Sequence, residues 1–260
     1  MAKNMIEKEF ESRSERESVR LNKFLSEAGI CSRREADRMI ASGQVKVDGK
    51  PAELGTRIGP GQEVRIGKKV IQGTKKVIVL AVNKPKGIVC TEEKRERKSI
   101  IRFLDYPERI TYVGRLDKDS EGLLLMTNNG DIINKMMRAG NYHEKEYKVT
   151  VNKEITQEFL ENMRNGVEIL NTKTRPCKVE KLGKYKFQII LTQGLNRQIR
   201  RMCEALGYQV TGLRRTRIMN IELGNLREGA YRELTDNELD ELYERIKQSS
   251  NETVIGEVEK

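Results

Sequence analysis

The chain has 260 residues, 50 Lys plus Arg against 39 Asp plus Glu, a formal charge of +11 and 37% hydrophobic residues. That balance predicts a soluble globular protein with a very polar surface, and no apolar run approaches the ~18 residues of a membrane helix. Cys31, Cys90, Cys177 and Cys203 form no CxxC pair and His143 is the single histidine, which argues against a zinc site, a disulfide framework and a His-based triad.

The excess of cations points to a polyanionic partner, because each neutralised phosphate releases condensed counterions. Tryptophan is absent and aromatic residues make up 5%, so recognition through backbone and shape fits better than a grip by stacking. The N-terminal stretch has no apolar segment of the secretory kind, and the cytoplasm is the expected compartment.

Residues 1–18 are charged, with little apolar periodicity, and are read as a flexible arm. From Val19 to Ile66 the pattern predicts two helices and then short strands. Ser32 and Glu35 form an S-x-x-E capping box, Ala36, Met39 and Ile40 share one helix face, Gly43 stops the helix and Asp48-Gly49 signals a hairpin. The opposite face carries Arg33, Arg34 and Arg38. Arg34 and Arg38 at i,i+4 cost about 0.2–0.5 kcal/mol, which either an anion on that face or the relief of Arg33 by Asp37 would offset.

Residues 67–76, rich in Lys and Gly, are read as a linker, and 77–247 as a second domain. VIVLAVNKPKGIVCT opens as a buried strand that turns at Lys84-Pro85-Lys86-Gly87. KRERK, Lys94 to Lys98, is read as a solvated loop. The stretch GRLDKDSEGLLLMTNNG, Gly114 to Gly130, sets Arg115, Asp117, Lys118, Asp119 and Glu121 directly before the apolar run Leu123 to Met126. It is either a polar loop entering a core strand or a carboxylate held at the mouth of one, with cations nearby.

A helix near Asp131–Arg138 follows, then the strand KEYKVTV, a helix around Gln157–Asn165 that buries Phe159, Leu160 and Met163, and the strand KFQIILT. In NRQIRRMCEALGY, Ile199, Met202, Cys203 and Leu206 are expected inward, with Arg197, Arg200, Arg201 and Glu204 outward. Leu213 to Arg217 is read as a strand start whose arginines either face RNA or are surface ions. Thr235 and Glu238 make a second capping box, and residues 248–260 are read as a flexible tail. No glycine loop of Walker or dinucleotide type occurs, so ATP or NAD use is not expected.

Over Val19 to Ile66 the order of elements resembles the S4 RNA-binding module. In that family the basic helix and the following hairpin meet RNA phosphates, which implies such contacts for Arg33, Arg34 and Arg38. Further along, NKPKGIVCT, GRLDKDSEGLLLMTNNGD, HEKEY and GLNRQIRRM occur in the order that resembles the S4-domain pseudouridine synthases of the RsuA, RluB, RluE and RluF group, the RluF branch being nearest. The implied fold is α+β, a small N-terminal S4 module followed by a mixed, mainly antiparallel-sheet catalytic domain with a central cleft.

The implied reaction is conversion of uridine to pseudouridine in 23S, large-subunit ribosomal RNA, with a tRNA as a further substrate by analogy, by a cytoplasmic monomer that needs no cofactor. The resemblance makes Asp117 the catalytic aspartate, sets the Tyr147 ring against the target base, and makes Arg200 the ion-pair partner of Asp117. Arg197 is the second candidate for that pairing. Arg115, Lys145 and Arg197 are further RNA contacts, and His143 is expected to pack or hydrogen-bond locally. A carboxylate suits attack on C1′ or removal of a C2′ proton, and a neighbouring guanidinium favours the ionised form and fixes its direction. The alternative reading is a non-catalytic RNA-binding or ribosome-assembly protein, with a DNA-binding regulator a distant third.

Overall fold

The structure, a computed structural model, describes residues 18–73, 76–93, 95–247 and 249. The expected arm up to residue 17, the tail apart from Ser249, and Lys94 lie outside the described residues. The chain divides into two compact units; the first runs to Ile78 and takes in Tyr106–Ile110 and Asn128–Gly130, and the second holds the remainder.

The first unit contains β1 (Val19–Arg20), α1 (Leu21–Glu27), α2 (Arg33–Ala41), β2 (Val45–Val47), β3 (Lys50–Pro51), β4 (Arg57–Ile58), β5 (Val64–Ile66) and β6 (Lys69–Ile71). Helix α2 starts where Ser32 Oγ accepts the Glu35 N–H at 3.2 Å, which satisfies one of the four orphan donors of a helix start. The Glu35 carboxylate turns to Arg38 at 2.7 Å, so half of the expected box forms. Asp37 accepts from Asn22 at 2.9 Å and does not relieve Arg33; the relief on this face is Glu35 on Arg38. Asp48 (φ 49°) and Gly49 (φ 80°) take the left-handed conformations of a two-residue hairpin turn joining β2 to β3.

Strands β3-β2-β5-β6 form an antiparallel sheet. Its apolar face packs with α1 and α2 around Leu21, Leu25, Ala36, Ile40, Val45, Val64 and Ile71. Ile71 corrects the reading of residues 67–76 as a linker. The alternation of Lys69, Val70 and Ile71 adds a fourth strand, and its last side chain is buried in this core.

The second unit contains β7 (Val79–Lys84), α3 (Ile100–Leu104), β8 (Thr111–Val113), β9 (Glu121–Thr127), α4 (Gly130–Met137), β10 (Lys145–Val151), α5 (Gln157–Arg164), β11 (Glu168–Ile169), β12 (Thr172–Lys173), β13 (Lys178–Gly183), β14 (Lys186–Leu191), α6 (Gln198–Ala205), β15 (Val210–Ile218), β16 (Ile221–Glu222), β17 (Tyr231–Glu233) and α7 (Asp236–Lys247). Nine of these strands make one sheet in the order β13-β14-β10-β15-β9-β7-β17, with β8 beside β9 and β16 beside β15. The β15–β9 pair is parallel and the other pairs of this sheet are antiparallel, as expected for the α+β class. Strand β7 is buried along its whole length, and so is β9 after its first residue. Such two-sided burial explains their unbroken apolar sequence.

Helices α5 and α6 contribute Phe159, Met163, Met202 and Cys203 to a core completed by Val149, Phe187 and Ile189. At α7 the second capping box forms in both directions: the Glu238 N–H donates to Thr235 Oγ1 at 3.2 Å, and the Thr235 N–H donates to Glu238 Oε2 at 2.9 Å.

One row of register partners crosses the sheet. Lys84 on β7 opposes Gly122 on β9, Gly122 opposes Arg215 on β15, Arg215 opposes Tyr147 on β10, and Tyr147 opposes Ile189 on β14. Register partners project to the same face, so Lys84, Arg215 and Tyr147 belong together, with Gly122 allowing close approach of the β15 backbone between the first two. Gly122 sits at φ +100°, and a Cβ there would lie 2.3 Å from the Arg215 carbonyl oxygen. Beyond the row, the register slips between Glu146 and Tyr147, leaving Thr216 as the extra residue of a bulge. Bulges re-aim side chains next to functional sites. Gly122→Ala is expected to lower stability by roughly 3 kcal/mol or more through the clash and the positive φ, read as the shift in urea midpoint of the second unit.

Candidate active site

The loop Gly114–Ser120 carries Asp117 to the start of β9, and its backbone is held from three directions. The Gly87 N–H donates to the Lys118 carbonyl at 2.8 Å, Arg200 Nη2 donates to the Asp119 carbonyl at 3.1 Å, and Lys84 Nζ donates to the Ser120 carbonyl at 2.8 Å. The Ser120 N–H closes back on the Asp117 carbonyl at 3.1 Å. Three successive carbonyls thus have three separate donors, which fixes the loop while leaving the Asp117 side chain 35% exposed.

Two guanidinium groups flank that carboxylate. Arg197 Nη1 stands 3.7 Å and Arg200 Nε 3.9 Å from Asp117 Oδ2. Both are ion-pair distances, longer than a hydrogen bond. Among the described residues no hydrogen bond reaches Oδ1. A carboxylate so placed has both guanidinium groups on the side of Oδ2 and retains Oδ1 with which to meet a substrate.

Arg197 precedes α6 in the left-handed region at φ 51°, a conformation that costs a non-glycine residue about 1–2 kcal/mol. The strain is held in place by the Gln198 side chain, whose Oε1 accepts from the Leu195 N–H at 3.0 Å, and it aims Arg197 at Asp117. Arg200 corrects the outward assignment made from helical periodicity. It is 8% exposed, and Nη1 donates to the Val210 carbonyl while Nη2 reaches the Asp119 carbonyl and Ser120 Oγ. A long side chain beside Ile199 and Cys203 buries its stem and finds loop carbonyls for its head.

Tyr147 lies two strands from Gly122 in the cross-sheet row, about 9.5 Å at ordinary strand spacing, half-buried against the Phe187–Ile189 core. Arg215 is 3% exposed; Nε donates to the Leu123 carbonyl at 2.7 Å, and the guanidinium carbon lies 6.0 Å from the Tyr147 ring centroid. Leu213–Arg217 lie within a strand and not at its start; of the arginines read as facing RNA or as surface ions, Arg214 is exposed and Arg215 is internal. Arg217, on the other face, bridges Glu144 and Glu146 at 3.0 and 3.3 Å, and Thr216 Oγ1 donates to Glu146 Oε1 at 2.8 Å. That network locks the bulge next to Tyr147.

Lys145 is mostly buried and donates to the His143 carbonyl at 3.2 Å. Burial, and then the Arg215 charge, push its pKa down to about 8. His143 pairs with Ser249 Oγ at 3.0 Å, 106 residues away in sequence, and burial lowers its pKa as well. Arg115 is exposed at the base of the Asp117 loop, and Arg33, Arg34 and Arg38 are exposed on α2 in the first unit.

Lys84 was missed as a functional residue. It is fully buried, its pKa is lowered by burial, and it donates to the Pro85 and Ser120 carbonyls, both at 2.8 Å. The available signal was a lysine closing an otherwise apolar strand, where a charge must find internal partners. Among the described residues no three His, Cys, Asp or Glu side chains cluster as metal ligands, and no helix is long and apolar enough to cross a membrane.

The RNA pseudouridylate synthase model matches residues 78–205 and the S4 domain model residues 19–64. The chain is 52% identical to the dual-specificity RNA pseudouridine synthase RluF of Escherichia coli K12, over 90% of this chain and 82% of that protein. It is 34% identical to ribosomal large subunit pseudouridine synthase B of Bacillus subtilis, over 86% and 95%. A crystal structure of a pseudouridylate synthase superimposes with a TM-score of 0.64 at 30% identity, covering 86% of this chain and 100% of that one.

The unfolded chain holds the Lys145 proton up to its ordinary value of 10.5, whereas the folded chain releases it near 8. Between those values the unfolded state binds more protons, so this residue makes stability rise with pH. The rise from about pH 7 to about pH 9.5 is expected to be about 2 kcal/mol larger in the wild type than in Lys145→Met, measured by urea unfolding at both pH values.

Proposed function

The chain belongs to the RNA pseudouridylate synthase family in its S4-domain form, and from that premise we propose that it isomerises uridine to pseudouridine in large-subunit ribosomal RNA, with a tRNA as a second substrate. The observation that carries this reading is the carboxylate of Asp117, flanked by Arg197 and Arg200 and held on a loop whose carbonyls at Lys118, Asp119 and Ser120 are each fixed by a donor. A pure RNA binder has no use for such a carboxylate beside phosphates, and the non-catalytic alternative finds no support in this geometry.

In the reaction the target nucleotide leaves its stack, at a cost of about a few kcal/mol, and settles against Tyr147. The +11 charge and the exposed arginines of α2 supply the attraction for the RNA backbone. Asp117 then acts at the sugar, by attack of Oδ1 on C1′ or by taking the C2′ proton. The C1′–N1 bond breaks with its electron pair on N1. The freed uracil turns on the Tyr147 face, its C5 bonds to C1′ as the temporary sugar species is undone, C5 loses its proton and N1 gains one. Bonds and charges balance without any redox change, so the chemistry needs no organic cofactor. Tyr147 supplies a planar surface and a hydroxyl within the site, and the arginines keep Asp117 aimed through each step. A monomer acting in the cytoplasm completes the reading.

Wild-type protein is expected to release tritium from 23S rRNA transcripts labelled at uridine C5. Asp117→Asn should abolish release while keeping RNA affinity within a few fold. A variant that turned over at the wild-type rate would sink the assignment of Asp117.

A further inference from the structure

Arg215 has no part in the scheme above, yet its setting is that of a functional group. It is 3% exposed in the middle of a strand, its Nη2 is buried without a hydrogen-bond partner among the described residues, and its Nε is tied to the Leu123 carbonyl. Buried donors nearly always find partners, and an unpaired one on a cation is costlier than one on an amide. Arg232, Arg217 and Arg245, by contrast, each close on a carboxylate. Arg215 faces an aromatic ring at 6.0 Å and a lysine whose charge it opposes. Among the described residues no carboxylate forms an ion pair or hydrogen bond with it.

We propose that Arg215 is a substrate-facing residue that stabilises the negative charge on uracil after the C1′–N1 bond has broken. Heterolysis leaves the bonding pair on N1, and conjugation spreads that charge to O2 and O4. The edge of a base lying on Tyr147 comes within range of a guanidinium beside the ring, and the unpaired Nη2–H is the donor that meets a carbonyl oxygen. Seating the base turns the Tyr147 side chain and uncovers that donor. Fixed charge in a dry site stabilises such a species without reorganisation. Either role of Asp117 expels uracil as the anion, so Arg215 serves both. It rests on the isomerase reading given above.

The test compares single-turnover consumption of uridine or 5-fluorouridine at the modified position, read by digestion to nucleosides and chromatography as loss of the starting nucleoside. With fluorine at C5 there is no proton to lose after C5 bonds to C1′, so that substrate reports C1′–N1 cleavage and not the final deprotonation. Fluorine makes the departing uracil a more stable anion, so it substitutes for part of what Arg215 supplies. Arg215→Met is expected to slow uridine about 10²-fold and 5-fluorouridine no more than roughly fivefold, with RNA affinity within about threefold, and Arg215→Lys should restore most of the loss. Equal slowing of both substrates, or a loss confined to affinity, would overturn the proposal in favour of a packing or phosphate-binding role. Should Arg215→Met fail to fold, Arg215→Gln carries the same comparison, and a uridine to 5-fluorouridine rate ratio equal to that of the wild type overturns it. Tritium release by wild type is read first. Its absence removes the isomerase reading itself, whereas a substrate-independent loss in the variants removes only the role of Arg215.

Discussion

The placing of Asp117 depends on the immobilisation of three consecutive carbonyl oxygens, those of Lys118, Asp119 and Ser120. A loop that presents a carboxylate at a strand mouth has carbonyls with nowhere to go, since the strand ladder starts only at Glu121. Here they are met by a glycine amide, an arginine and a fully buried lysine from three different elements. The lysine and the arginine serve twice, because the positive charge that saturates the backbone also sets the field around Asp117. Burying Lys84 is unfavourable in isolation, and its two carbonyl partners together with the nearby carboxylates of Asp117 and Asp119 offset that cost.

The site is accordingly a concentration of internal cations around the part-exposed carboxylate of Asp117. Lys84, Lys145, Arg200 and Arg215 are all largely withdrawn from water, and the pKa of each lysine is lowered by burial. Such a centre suits a polyanion that brings its own negative charge and then generates more of it on a departing base. The Glu144–Arg217–Glu146 network keeps the opposing carboxylates on the other face of β10, paired to their own arginine and away from Asp117.

How much of this was legible in the sequence follows from the range of the interactions. Local ones were readable: the caps at Ser32 and Thr235, the Asp48-Gly49 hairpin and the buried faces of α2 and α5 all depend on residues a few positions apart. Motif order marked Asp117, Tyr147, Arg197 and Arg200. What failed was the direction of long cationic side chains. Helical periodicity sorts Arg200 outward, and composition alone leaves Arg215 facing RNA or as a surface ion, because neither can register that a carbonyl 81 or 92 residues away in sequence is waiting for a donor. Lys84 escaped for the same reason. The strand at Lys69–Ile71 was hidden by its composition, since Lys and Gly flank a single buried isoleucine and the pairing that defines it comes from β5.

The parallel pairing of β9 with β15 carries a further implication for how the protein comes into being. A hairpin can be zipped as it leaves the ribosome, but Gly122 and Arg215 meet only through a crossover that spans five intervening strands and three helices. Synthesis is vectorial, so the row from Lys84 to Tyr147 has no central member until residue 215 has emerged, long after the Asp117 loop has been made. Closing so long a loop is the slow kind of step in folding. The nascent chain therefore carries its RNA-attracting helix α2 well before it owns a reaction centre, an order of events in which a cell is exposed to a binder first and a catalyst only when the sheet has closed.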